Sequence, residues 1–225
     1  MSGRKRQESA VPPYGIRDTL FGDMPLATWA AAGGDEPWAS FRRAEDAIRA
    51  GRHDQAVSIL MGVTAADGLE SRHTLQAWSA LRELGTRPPA AAGRTVLGVV
   101  VEVPMDAGLD LLAAYADRSA RYYNHGGGGV VWERADDRLD GPIDGVLAAG
   151  QAVADRIGPW EGPRPAPPGA GRIRLNMLTP SGIHFGEGPH AGMAADPVGG
   201  PLVEAATALM LELVGLLPRG ERRPS

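Results

Sequence analysis

The apolar residues of this chain switch from a helical period to a strand period near residue 95, and that switch sets the class of fold open to it. From Trp38 to Leu84 they recur at three- and four-residue intervals, as in Phe41, Ala44 and Ile48 and again in Ala56, Val57, Ile59, Leu60 and Val63, the spacing of one helical face. Gly51 stands where the first of these helices should stop, and Asp54 opens the second with a side chain able to accept from free amides. Leu75, Trp78, Leu81 and Leu84 share a face of a third helix, which Gly85 ends. Across Thr86–Gly93, two prolines and small residues disfavour both helix and ladder, and beyond them the pattern is that of strands.

Val96–Val103 is a β-branched run, the mark of a strand with a buried face. Leu109–Tyr115 and Ala120–Asn124 follow, and Gly126–Gly129 precede Val130–Glu133. Connections this short and turn-rich pair neighbours antiparallel, so the stretch reads as a three-stranded meander. Leu139–Ile157 is the next helix, with Asp140 a suitable N-cap and Gly158-Pro159 a suitable stop. Past a Pro/Gly loop, Arg172–Leu178 alternates Ile173, Leu175 and Met177 with Arg174 and Asn176, then returns through Gly182 as Ile183, His184 and Phe185, a hairpin. The last helix, about 201–217, is apolar on most sides and needs cover. The expected fold is α+β: an N-terminal helical hairpin of two to three helices, then a βββαββα unit whose five-stranded antiparallel sheet carries two helices on one face. Residues 1–37 hold scattered apolar side chains without a period, among them Leu20, Phe21 and Trp29, and are expected to be an extended or partly disordered arm. The remaining boundaries expected are a helical region over 38–86, a linker over 87–94, the sheet domain over 95–218 and a solvated tail over 219–225.

Two resemblances accompany this reading. Ala47, the run Ala50-Gly51-Arg-His-Asp-Gln-Ala56, and Ile59-Leu60 resemble the turn between the two helices of a tetratricopeptide unit, with Gly and Ala five apart. Over residues 41–85 this implies one helical hairpin of the kind that family stacks in threes or more, and no second copy follows. The element order of the second half is similar to that of small bacterial chaperones that bind secreted effectors, and it implies a chaperone-like α+β domain; this likeness lies in topology alone.

Composition excludes several classes. Without cysteine there is no disulfide scaffold, thiolate zinc site or cysteine nucleophile. The apolar run from Val96 to Val101 is too short to cross a bilayer, and the basic opening has no apolar segment behind it, so a cytoplasmic protein without membrane contact is expected. A net charge of -4 argues against nucleic acid. Lys5 is the one lysine among 23 basic residues, a bias that suggests the coding of a GC-rich bacterium.

Candidate chemistry is sparse. His125-Gly126-Gly-Gly-Gly129 matches an oxyanion segment of esterases, but the chain has no GxSxG elbow, and the glycines lead into a strand instead of the helix a phosphate cradle requires. A hairpin tip accounts for them. His184, Glu187 and His190 have ligating side chains three apart and form the one candidate metal set, for a metal-assisted hydrolase. Asp136, Asp137, Asp140 and Asp144 suit the first turn of a helix. Tyr115, Tyr122, Tyr123 and Trp132, rimmed by Arg118 and Arg121, would make an apolar partner-binding patch if they lay on a sheet face free of helices. The expected function is therefore a non-catalytic protein-interaction module without a cofactor, an adaptor or chaperone-like accessory protein. It would bind another protein or a second copy of itself through an open sheet face and the N-terminal arm.

Overall fold

A computed structural model describes residues 15–217. Its centre is one antiparallel sheet of six strands, β1 (Gly98–Met105), β2 (Gly108–Tyr115), β3 (Ala120–Tyr123), β4 (Gly129–Trp132), β5 (Arg172–Thr179) and β6 (Gly182–Pro189), in the order β4-β3-β2-β1-β5-β6. The expected α+β class and antiparallel pairing are observed, but the strand count is six and not five. The meander has a fourth strand because Asn124 closes a tight hairpin tip: its Oδ1 accepts from the amides of Gly126 and Gly128, at 3.0 Å each, and Gly127 takes a positive φ. Val130 and Val131 then pair with Tyr122 and Arg121.

Nine helices accompany the sheet among the described residues: α1 (Ile16–Leu20), α2 (Leu26–Ala31), α3 (Trp38–Arg49), α4 (His53–Ala65), α5 (Ser71–Glu83), α6 (Ala90–Gly93), α7 (Asp140–Ala154), α8 (His190–Ala195) and α9 (Gly200–Gly215). The expected linker thus contains the short α6, and the expected arm contains α1 and α2. Residues 1–14 and the tail expected at 219–225 lie outside the described residues.

Because side chains alternate along a strand, each strand contributes to two layers. Val99, Val101, Leu112, Ala114, Leu175 and Met177 face α7 and α9, whose Ile143, Val146, Leu202, Leu209 and Leu213 complete the main core. Gly150 lets α7 lie close on the sheet: a Cβ there would stand 2.6 Å from Val99 Cγ2.

The opposite face is covered too, which overturns the expected open sheet face. Val100, Leu111, Ala113, Tyr115 and Leu178 pack against Leu20, Phe21 and Leu75, from α1, the residue after it, and α5. Toward β5 and β6 this face turns ionic. Glu102, 0% exposed, is bound by Arg17 of α1 and lies 3.4 Å from Arg174 Nη1 and 3.2 Å from Asn176 Nδ2, while Arg174 also pairs with Glu187 at 2.5 Å. A third core, with Trp29, Phe41, Leu60, Trp78 and Leu81, holds α2 to α5 together. The helical layer is fastened to the sheet where Asp117 Oδ2 accepts from the Ser71 amide (2.6 Å) and Ser71 Oγ accepts from the Asp117 amide (3.1 Å), which caps α5 from the β2–β3 turn.

Candidate functional site

Between the helical layer and the β5–β6 turn lies a cleft of about 1180 Å³, open to solvent. Its walls are the C-terminal end of α5 with the segment behind it (Arg82, Glu83, Arg87), the start of α1 (Arg17, Asp18) and the loop between α7 and β5 (Trp160–Arg164).

Two of its cations are occupied in structure. Arg17 is held by Glu102 and donates to the Pro165 carbonyl at 2.8 Å. Arg164 donates from Nε to Asp23 (2.8 Å) and from Nη2 to Asp18 (2.5 Å), and its guanidinium lies 4.3 Å from the Phe21 ring centroid. The other two are not paired. Arg82 donates to the Pro180 carbonyl at 2.6 Å, and burial, followed by the nearby Arg87 guanidinium, pushes its pKa below the ordinary arginine value. Arg87 is exposed. Among the described residues, neither arginine forms an ion pair, nor do the exposed Glu83 and Glu161 on the same cleft.

Trp160 stands on the lip. Pro159, Gly162 and Pro163 keep this loop out of helix or ladder, yet three contacts fix the indole: the backbone amide donates to the Ile183 carbonyl (2.7 Å), Nε1 donates to the Pro163 carbonyl (3.0 Å), and the ring meets Phe185 edge-on at 5.3 Å. It nonetheless remains 48% exposed. A tryptophan held this way keeps its orientation whether or not anything touches it.

The residues singled out in the sequence do not form a common site. Strand parity divides the aromatic patch: Tyr122 and Trp132 face α7 and α9, while Tyr115, Arg121 and Tyr123 face the helical layer. Tyr115 is fully buried and its hydroxyl donates to the Leu20 carbonyl at 2.6 Å; burial pushes its pKa upward. Arg121 is buried beside Glu70 at 3.3 Å. Arg118 bridges to Asp140 (2.8 Å) and Asp144 (3.2 Å). Asp140 therefore serves ion pairs with Arg118 and Arg134, and α7 has no side-chain cap hydrogen bond.

Three positions apart on an alternating strand means opposite faces, and this separates the proposed metal set. His184 is buried on the α7 side with Nδ1 3.1 Å from the Ile157 carbonyl, and burial lowers its pKa; Glu187 lies on the other face between Arg172 (2.6 Å) and Arg174. His190 is exposed at the start of α8. Among the described residues no three His, Asp or Glu side chains gather as a metal set. His125 faces Asp110, its Nδ1 3.1 Å from Oδ1, and the Tyr122 hydroxyl donates to Oδ2 at 2.8 Å. Among the described residues no serine or threonine hydroxyl bonds to that imidazole, so within them the pair has no nucleophile of a hydrolytic triad.

Trp160, Arg82 and Arg87 escape sequence reading. The available signal was a lone tryptophan inside a Pro/Gly loop, where no core run can absorb it. No helix among the described residues is long and apolar enough to cross a membrane. Comparison with protein-family models, with curated proteins and with solved structures finds no match.

Proposed function

We propose that this chain is a non-catalytic protein-interaction module, an adaptor or assembly protein, whose docking element is the cleft beside Trp160. The reading rests on one observation: a rigidly held, half-exposed tryptophan lies on the rim of a large concavity that also carries unpaired arginines. Tryptophan and arginine dominate the binding energy of protein interfaces, and a side chain already in its bound orientation loses little entropy on association. Both central sheet faces are occupied by the chain's own helices, so the aromatic residues of the meander serve packing and are unavailable to a partner.

A photo-crosslinking amino acid in place of Trp160, introduced in the source cell, tests this. Crosslinks to a protein from position 160, and none from the exposed Leu211 on α9, are the expected result. Crosslinks from position 211 alone, or from neither position, would refute it.

A further inference from the structure

The cleft bears the marks of a surface that meets its own kind. We propose that it is the interface of a symmetric homodimer, the Trp160 lip of each copy seated in the cleft of the other. This rests on the reading of the cleft as a docking site and names the occupant.

Three features of the cleft support a second copy. The first is charge. Among the described residues Arg87 and Glu161 face the cleft without ion-pair partners, and the neighbours Arg82 and Glu83, which attract one another without forming a close ion pair, add one charge of each sign, so these four charges sum to zero with both signs present. A partner with a single sign of charge would satisfy half of them and be repelled by the rest. A copy rotated about a two-fold axis can satisfy both signs with one patch, because in an isologous interface any acid of one copy set against an arginine of the other is repeated in reverse. Arg87 against the other copy's Glu161 is the pair to expect, since both are exposed and neither has a hydrogen bond among the described residues. The second is shape. The half-exposed Trp160 and the concavity it lines belong to one patch, so one surface supplies both anchor and hollow. The third is order: the three contacts of Trp160 hold the anchor in place before association.

Sedimentation velocity of the full chain, from low to high micromolar concentration, reads the outcome. The parent should dimerise reversibly. Trp160→Ala should weaken the dimer about tenfold or more, as loss of an interface anchor does. Arg87→Glu and Glu161→Arg should each weaken it by a similar factor, and the variant carrying both reversals should return to within about threefold of the parent, because the reversed pair forms again across the axis. All of these positions are exposed, and melting temperatures equal to the parent's at concentrations low enough for the parent to be monomeric will show that folding is intact. A parent that stays monomeric overturns the proposal, as does a dimer indifferent to Trp160→Ala, or single reversals that disrupt without rescue in the double. A monomer that still crosslinks a different protein from position 160 would leave the docking site standing and remove self-association.

Discussion

Replacing Glu102 by Gln isolates what holds α1 on the sheet. The carboxylate has no solvent exposure and serves as anion to two guanidinium groups, Arg17 and Arg174, while also accepting from Asn176. Glutamine keeps the shape and removes the charge. Breaking a buried ion pair by neutralising one member costs about 3–5 kcal/mol. Arg174 retains Glu187 and the Ala166 carbonyl, at 2.6 Å, whereas Arg17 retains no anion among the described residues and keeps the Pro165 carbonyl and the Phe21 ring, 5.3 Å from its guanidinium. The cost should thus fall at the low end, about 3 kcal/mol, read as a drop in urea midpoint at constant m-value, or as roughly 6–12 °C in melting temperature for a chain of this size. Arg17→Met should cost less, about 1–2 kcal/mol, because Glu102 keeps Arg174 and Asn176. The two changes share one contact, so the double variant should fall short of additivity by about 1–2 kcal/mol. A loss below about 1 kcal/mol for Glu102→Gln, or additivity within about 0.5 kcal/mol, would refute the view that this pair fastens α1 to the sheet.

Other outcomes follow from the same geometry. His73 and His184 are buried, and burial, the first cause in each case, lowers both pKa values below the ordinary histidine value. The unfolded chain then takes up protons that the folded chain refuses, so stability should fall as pH drops below about 6.5, by at most about 1.4 kcal/mol per unit for each histidine. Urea titrations between about pH 5 and 6.5 should show this slope reduced in the His73→Gln, His184→Gln variant, while Glu83, whose pKa burial raises, contributes alike to both proteins. Gly150→Val should cost about 1–3 kcal/mol in the same titration, since even its Cβ meets Val99 at 2.6 Å. Asp117→Ala should cost about 1–2 kcal/mol and raise hydrogen exchange at the Ser71 amide, whose acceptor it removes; unchanged exchange there would contradict the cap.

How much of this was legible in the sequence depends on how far apart the partners lie. The strands around Val99–Val101 and Ile173–Met177 were readable because β-branched runs and strict alternation report a pleat directly. The covering of the second face was not, because Leu20 ends a five-residue helix and Phe21 follows it, so the pair shows no period, and their meaning comes from Val100 and Tyr115 about 80 to 95 positions later. Gly186, Gly188 and Pro189 lie among the candidate ligands His184, Glu187 and His190 and disfavour a helix there. An edge strand tolerates such residues, and β6 is one. Once β6 is extended, the three-residue spacing alone sends His184 and Glu187 to opposite faces. Trp160 had no pattern to belong to, and the pairs Arg17–Glu102 and Asp18–Arg164 join residues 85 and 146 positions apart that no local window contains.

The docking of α1 has a consequence for synthesis. Leu20 and Phe21 leave the ribosome well before the strands they are to cover, and Asp18 precedes its partner Arg164 by 146 residues. Domains built from such distant pairings fold slowly, because long loops must close before any contact rewards them. During translation the greasy N-terminal turn must wait, uncovered, for most of the polypeptide to appear, which makes this short stretch a natural foothold for a holdase on the nascent chain.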